Sequence, residues 1–203
     1  RQLCDGLGVE LLVRHVHVAQ AASVEQAARN ARYGAFAGAL RPGEVLLTGQ
    51  HRDDQAETLL LRLMRGAGLR GLSAMPPQRS LGAGRLVRPL LDISRDELLA
   101  YAREHDVSWI EDPSNEETRF ARNYLRHQVL PALVSRWPQA SRSLARTASH
   151  LGEARELLDD LARQDLAAAL DPCQHSWLTL PSLNLSRLAE LSPARQRNAL
   201  QFW

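Results

Sequence analysis

A short apolar run, Val45-Leu46-Leu47, gives way at once to Thr48-Gly49-Gln50-His51-Arg52-Asp53-Asp54-Gln55-Ala56-Glu57-Thr58. No other feature constrains the fold so tightly. The run has the length and character of a buried strand. The apolar positions behind it (Ala56, Leu59, Leu60, Leu63, Met64) recur at helical spacing. A strand that feeds a helix directly is the repeating unit of an open α/β sheet, and ligands bind such sheets at the carboxyl ends of their strands. A histidine and three carboxylates packed into His51–Glu57 therefore read as part of a site.

Around this junction the chain alternates between patterns. Leu3, Leu7 and Gly8 have the look of a helix end, and Val9 to Val18 alternates and is rich in β-branched residues, as a strand does. Ser23-Val24-Glu25-Gln26 has the form of a capping box ahead of Ala27, Ala28, Ala31, Ala35 and Leu40, a helix ended by Pro42-Gly43. Strand, helix, strand, helix predicts parallel pairing across a crossover. Residues 66–84, rich in Gly, Pro and Ser, read as a loop, and Leu86 to Leu91 as a short extended segment. Ser94-Arg95-Asp96-Glu97 is a second capping box, opening a helix to about Glu104. Val107 to Ile110 reads as a last short strand and Glu111-Asp112-Pro113-Ser114-Asn115 as a turn. From about Arg119 the pattern is helical, interrupted at Pro131, Pro138 and Asp171-Pro172. The expectation is an α/β domain over 1–130, part of an open parallel sheet, followed by an all-α second domain over 131–203.

Apolar residues make up 44% of the 203, enough to bury a core, while no apolar run approaches the ~18 residues of a membrane span. No basic-then-apolar leader opens the sequence. Cys4 and Cys173 have neither disulfide-framework nor metal spacing. A soluble, cytoplasmic protein with no membrane partner is expected. The net charge of +2 says less than its distribution. From Thr118 to His150 stand six arginines (Arg119, Arg122, Arg126, Arg136, Arg142, Arg146) and no Asp or Glu, the footprint of a polyanion partner. The complete lack of lysine reads as compositional bias.

Asp54 and Glu57 are three apart and share a helix face. Carboxylates at a helix start hold Mg²⁺ through oxygen while nucleotide phosphates complete the octahedron, so Asp53 and Asp54 are the candidate metal ligands. The competing reading makes Asp54-Gln55-Ala56-Glu57 a capping box favoured by the helix dipole. That accounts for two acids and leaves His51 and Asp53 unexplained. A zinc hydrolase would need further His or Cys ligands. His15, His17, His105, His127, His150 and His175 show no such spacing near His51.

In Arg119-x-x-Arg122-Asn123-x-x-Arg126, helical spacing puts the three arginines on one face, with Asn123 beside them. Guanidinium forks grip phosphate oxygens in pairs and stay charged. The competing reading is a solvated face paired with acids, and acids are absent from this stretch. Arg65, ahead of Gly66-Ala67-Gly68, is an anion clamp or a plain helix C-cap. Arg88, before Pro89, is a candidate guanidinium at the site. Glu25, Arg29 and Arg32 read as a structural ion-pair set.

Together, the Thr48–Thr58 segment, Arg65-Gly66-Ala67-Gly68-Leu69, Gly71-Leu72-Ser73-Ala74-Met75, Arg88-Pro89-Leu90-Leu91, Trp109-Ile110-Glu111-Asp112-Pro113-Ser114-Asn115 and Arg122-Asn123 with Arg126 resemble the tRNA(Ile)-lysidine synthase family. That family sits in the PP-loop (N-type ATP pyrophosphatase) superfamily. The likeness runs over most of 1–150 and more loosely beyond. The family's Ser-Gly-Gly-x-Asp-Ser signature is not in these residues, so the resemblance implies an internal segment of the enzyme, inactive alone. It also implies an adenine nucleotide alpha hydrolase-like fold, ATP and Mg²⁺ as cofactors, and tRNA(Ile) with a CAU anticodon and free L-lysine as partners, with a homodimer left open. The implied reaction adenylates the wobble cytidine with ATP and joins lysine to its C2. In that picture Asp54, with Asp53 or Glu57, lies near the metal or the substrate amine. His51 and Arg65 meet the nucleotide, Arg88 and Arg122 meet phosphate or the base, and Arg119, Arg126, Arg142 and Arg146 meet the tRNA backbone. Two alternatives stay open: another PP-loop tRNA enzyme such as a thiolase, and a non-catalytic RNA-binding module.

Overall fold

A computed structural model describes residues 2–18, 24–111, 117–171 and 182–203. In chain order its first elements are α1 (Gln2–Leu7), α2 (Val24–Ala39), β1 (Val45–Leu47), α3 (Arg52–Met64) and α4 (Leu69–Leu72). β2 (Gln78–Leu81), β3 (Gly84–Val87) and α5 (Arg95–Glu104) follow. Then come α6 (Ala121–Tyr124), a π turn over Leu125–Val129, α7 (Leu130–Arg136) and the long α8 (Ala140–Ala169). β4 (Leu170–Asp171), β5 (Ser182–Leu183), α9 (Leu185–Ala189) and α10 (Pro193–Phe202) close the chain. These fall into two compact units, Arg1–Gly49 with Pro77–Pro89, and Gln50–Pro76 with Leu90–Trp203.

In the first unit the strands lie in the order β1-β3-β2. β1 runs parallel to β3 with Leu46 opposite Leu86, and β2 runs antiparallel to β3 with Arg79 opposite Leu86. The sheet is therefore mixed, where an open parallel one was expected. Leu86, in the middle strand, is fully buried. Residues 66–84 are not a plain loop, because they hold α4 and β2. Gln78-Arg79-Ser80 carries no apolar alternation, so only its pairing with β3 makes it a strand. The hairpin turns at Gly82, whose φ is +56° and where an added Cβ would lie 2.3 Å from the Ala37 carbonyl oxygen. Only glycine fits there.

Among the described residues two expected strands do not form. Val9 to Val18 is exposed and outside any ladder, and so are the residues after Val107, with Ile110 97% exposed. Alternation marks a segment that can pair, but a strand exists only where a neighbour takes up its N–H and C=O groups. Among the described strands β1, β2 and β3 pair with one another alone. The first capping box begins outside the described residues, and the Asp112–Asn115 turn lies outside them. The second capping box forms as expected, with Ser94 Oγ accepting from Glu97 N and Glu97 accepting from Ser94 N at 2.7 Å.

Among its described residues the second unit is largely helical, with one two-stranded ladder, β4 with β5. Ala56 and Leu60 of α3 pack against Leu125 and Leu130, while Leu59 packs against Ala74 and against Ala148 of α8. α3 is thus held on two sides. Gln55, also buried, closes both backbone groups of Met75, donating to its carbonyl at 2.7 Å and accepting from its N–H at 2.9 Å. Among the described residues no helix is long and apolar enough to cross a membrane.

Candidate active site

α3 starts at Arg52 with His51 as its N-cap in extended backbone. Asp54 is the third helical residue, and its Oδ2 accepts from the His51 N–H at 3.0 Å. The capping reading therefore holds for Asp54, shifted so that it closes the box rather than opens it. His51 is packed between the two acids. Its Nε2 is 3.5 Å from Asp54 Oδ2 and its Nδ1 3.7 Å from Asp53 Oδ2. Asp53 points elsewhere: Oδ2 accepts from the backbone N–H of Arg95 at 2.8 Å, at the start of α5. Beside it, Arg52 donates to Ile93 O through its backbone and to Asp92 O and Glu97 through its guanidinium.

Glu57 lies one helical turn deeper, its side chain 1% exposed. It receives Arg122 Nε at 2.7 Å, Arg126 Nε at 2.6 Å and Arg126 Nη2 at 3.1 Å. Both arginines also reach Asp54 Oδ1, at the longer distances of 3.4 and 3.3 Å. Arg122 touches Thr58 Oγ1 as well, and Thr58 donates to the Asp54 carbonyl. Burial opposes the charge on Arg126, but Glu57, with Asp54 and Asp53 behind it, raises its pKa above the ordinary value. The π turn directly after α6 carries Arg126; such wide turns are frequent at functional sites.

The structure revises the arginine block. Arg119 precedes α6, is 73% exposed, pairs with Glu117 and lies over the Phe120 ring, so it does not share a face with Arg122 and Arg126. Those two are not short of acids either. Their acids come from α3, more than sixty positions away in sequence. Arg142 and Arg146 sit exposed one turn apart on α8. Arg65 is the exposed C-cap of α3. At about 1.5 Å per residue it stands roughly 16 Å along the axis from Asp54, apart from the charged cluster. Asn123 is buried and donates to Glu117 O.

A second cluster, in the first unit, joins residues that the sequence reading had kept apart: Arg88 as a site guanidinium, and Arg29 and Arg32 as part of an ion-pair set. Arg88 is 3% exposed. Burial lowers its pKa, a hydrogen bond shared with Tyr33 opposes that, and Arg79 and Arg29 lower it further. The guanidiniums of Arg29, Arg32 and Arg79 stand 5.0, 5.8 and 5.1 Å from the Tyr33 ring centre. Guanidiniums gathered round one ring repel one another, which cation–π attraction of about 0.5–1 kcal/mol each offsets in part. Arg-x-x-Arg-Tyr on one helix face was the available signal; Glu25, its expected partner, has a side chain outside the described residues.

The chain's residues 1–133 match the family described as PP-loop domain. The chain belongs to the PP-loop family. It is 61% identical over 201 residues to a Pseudomonas fluorescens protein named tRNA(Ile)-lysidine synthase, covering 99% of this chain and 46% of that one. A Pseudomonas putida protein of the same name is 63% identical, with 99% and 47% covered. A Coxiella burnetii one is 46% identical, with 100% and 44% covered. The chain thus spans about half the length of the curated relatives it matches. Membership implies an α/β nucleotide-binding fold and the use of ATP.

The Mg²⁺ expected on Asp53 and Asp54 finds no seat there as they stand. Asp54 Oδ1 faces two guanidiniums, and its Oδ2 and that of Asp53 are taken by backbone N–H groups. Mg²⁺ demands near-ideal octahedral oxygen ligation, and such engaged carboxylates do not fit it. Among the described residues no three His, Cys, Asp or Glu side chains gather to hold a metal ion.

Proposed function

We propose that the full-length protein is a tRNA(Ile)-lysidine synthase, an ATP-dependent carbon–nitrogen ligase of the cytoplasm. Its substrates are tRNA(Ile) with a CAU anticodon and free L-lysine. The observation that carries the reading is identity of 61% along 99% of this chain with a protein of that name. A thiolase or a purely RNA-binding module has no comparable support.

In this reading the C2 oxygen of the wobble cytidine attacks the α-phosphorus of ATP and pyrophosphate leaves. The lysine amine then attacks C2 and AMP leaves. Both steps move charge, and preorganised groups stabilise moving charge best. Glu57, buried and holding the guanidiniums of both Arg122 and Arg126, fixes the pair. Asp54 Oδ1, whose guanidinium contacts are long at 3.3–3.4 Å, is the carboxylate oxygen that exchanges one of them for the ammonium or takes its proton. His51 borders the nucleotide, and Arg122 meets phosphate or the base. Arg119, Arg142 and Arg146, all exposed, meet the tRNA backbone. Arg126 serves Glu57 first, and Arg65 has no role at this cluster. Mg²⁺ enters with the ATP phosphates and not as a resident of Asp53 and Asp54.

The test is ATP-dependent incorporation of labelled lysine into tRNA(Ile). Asp54→Asn in the full-length protein should lower kcat at least ~100-fold, the scale of a positioned proton-transfer group, with the fold intact. Full incorporation by that variant returns Asp54 to a capping role.

A further inference from the structure

We propose that Tyr33, Arg29, Arg32, Arg79 and Arg88 form a phosphate-binding site in the unit that carries the three-stranded sheet. The proposal rests on the reading that the protein handles ATP and RNA, and it adds a site to that reading.

Three elements bring the residues together. On α2, spacings of three and four put Arg29, Arg32 and Tyr33 on one face. In the sheet, Arg79 stands directly opposite Leu86, and opposed side chains share a face. Two positions on from Leu86 the alternation brings Arg88 to that same face; its N–H donates to Pro77 O at 2.8 Å and prolongs the ladder. The guanidiniums of Arg29, Arg32 and Arg79 then lie within 6 Å of one phenol ring, to which Arg88 is hydrogen-bonded.

Around that ring the fold gathers positive charge. Among the described residues no Asp or Glu forms an ion pair with Arg29, Arg32 or Arg79. Arg122 and Arg126 show how this chain neutralises an arginine pair, with two carboxylates interleaved. Like charges gathered this closely raise the energy of the free protein, and a bound anion lowers it. Phosphate matches the residues: guanidinium forks take its oxygens in pairs, and Tyr33 offers an aromatic surface of the kind that stacks bases in nucleic-acid sites. The triphosphate of ATP and the RNA backbone present the same group.

The experiment uses the full-length protein and its Arg29→Met/Arg79→Met variant, which keeps the apolar stems and removes two charges. ATP, inorganic triphosphate and an anticodon stem-loop RNA are titrated at several salt concentrations. If the source is ATP, affinity for ATP and triphosphate falls about tenfold and RNA binding is unchanged. If it is RNA, the RNA affinity falls and its salt slope shrinks by roughly 1–2, about one for each phosphate no longer neutralised. In either case the melting temperature of the free variant should hold or rise, since repulsion has been relieved; a purely structural cluster would lose stability. Three unchanged affinities overturn the proposal. Should the double variant misfold, Arg79→Gln, exposed on β2, decides by the same readings. A wild-type protein that binds triphosphate through these arginines yet incorporates no lysine would remove the functional reading and leave the site standing.

Discussion

The carboxylate of Glu57 grips the guanidinium of Arg126 with both oxygens, Nε at 2.6 Å on one and Nη2 at 3.1 Å on the other. With the Glu57 side chain 1% exposed and Arg126 26% exposed, the pair sits mostly out of water. Breaking one side of a buried pair strands the other charge. Glu57→Gln should therefore cost about 3 kcal/mol, the low end for such pairs because both arginines keep some access to solvent. Urea unfolding of the full-length protein measures it. A loss under about 0.5 kcal/mol, the size of a surface ion pair, would mean that the network does not hold α6 to α3.

Asp53 and Asp54 are neighbours in sequence with separate duties. Asp53 accepts from the Arg95 N–H at the start of α5, which ties that start to the first turn of α3. An amide oxygen accepts this bond as a carboxylate does, and alanine cannot. Hydrogen exchange at Arg95 should stay slow in Asp53→Asn and quicken about tenfold in Asp53→Ala, the scale of a lost cap. Equal exchange in the two variants would show that Asp53 does not anchor α5.

Glu97 titrates below its ordinary value because Ser94 donates to it from side chain and backbone, with the charges of Arg52 and Arg142 adding to this. For an acid so depressed, the stabilisation is complete above the unfolded value and fades as pH falls through the folded one. The start of α5 should then be well protected above about pH 4.5 and lose protection progressively below it. Ser94→Ala should move that loss to higher pH. An exchange profile unchanged by the substitution would contradict the assignment.

Much of this is legible in the sequence because the chemistry involved is local. The apolar run and the periodicity behind it locate β1 and α3, since strand and helix spacing act over a few residues, although Val45 and Leu47 are exposed where a buried strand was expected. Ser94 to Glu97 announces α5, because a capping box closes within one turn. His51, Asp53, Asp54 and Glu57 stand out for the same reason: their density at a strand-to-helix junction is a local property.

Pairing partners are not local. Val9 to Val18 alternates as strands do and joins no ladder among the described residues, while Gln78-Arg79-Ser80, without any apolar pattern, becomes a strand because β3 lies beside it. The arginines after Thr118 look short of acids until α3 supplies Asp54 and Glu57 from more than sixty positions upstream. Arg29 and Arg32 are brought beside Arg79 and a tyrosine ring by the fold, while the side chain of Glu25, their expected partner, lies outside the described residues. Residue types and short spacings thus mark where charge is available. Whether that charge is neutralised or left waiting for a ligand depends on which distant segments fold against it, since Coulomb and hydrogen-bond energies follow distance in space and not in sequence.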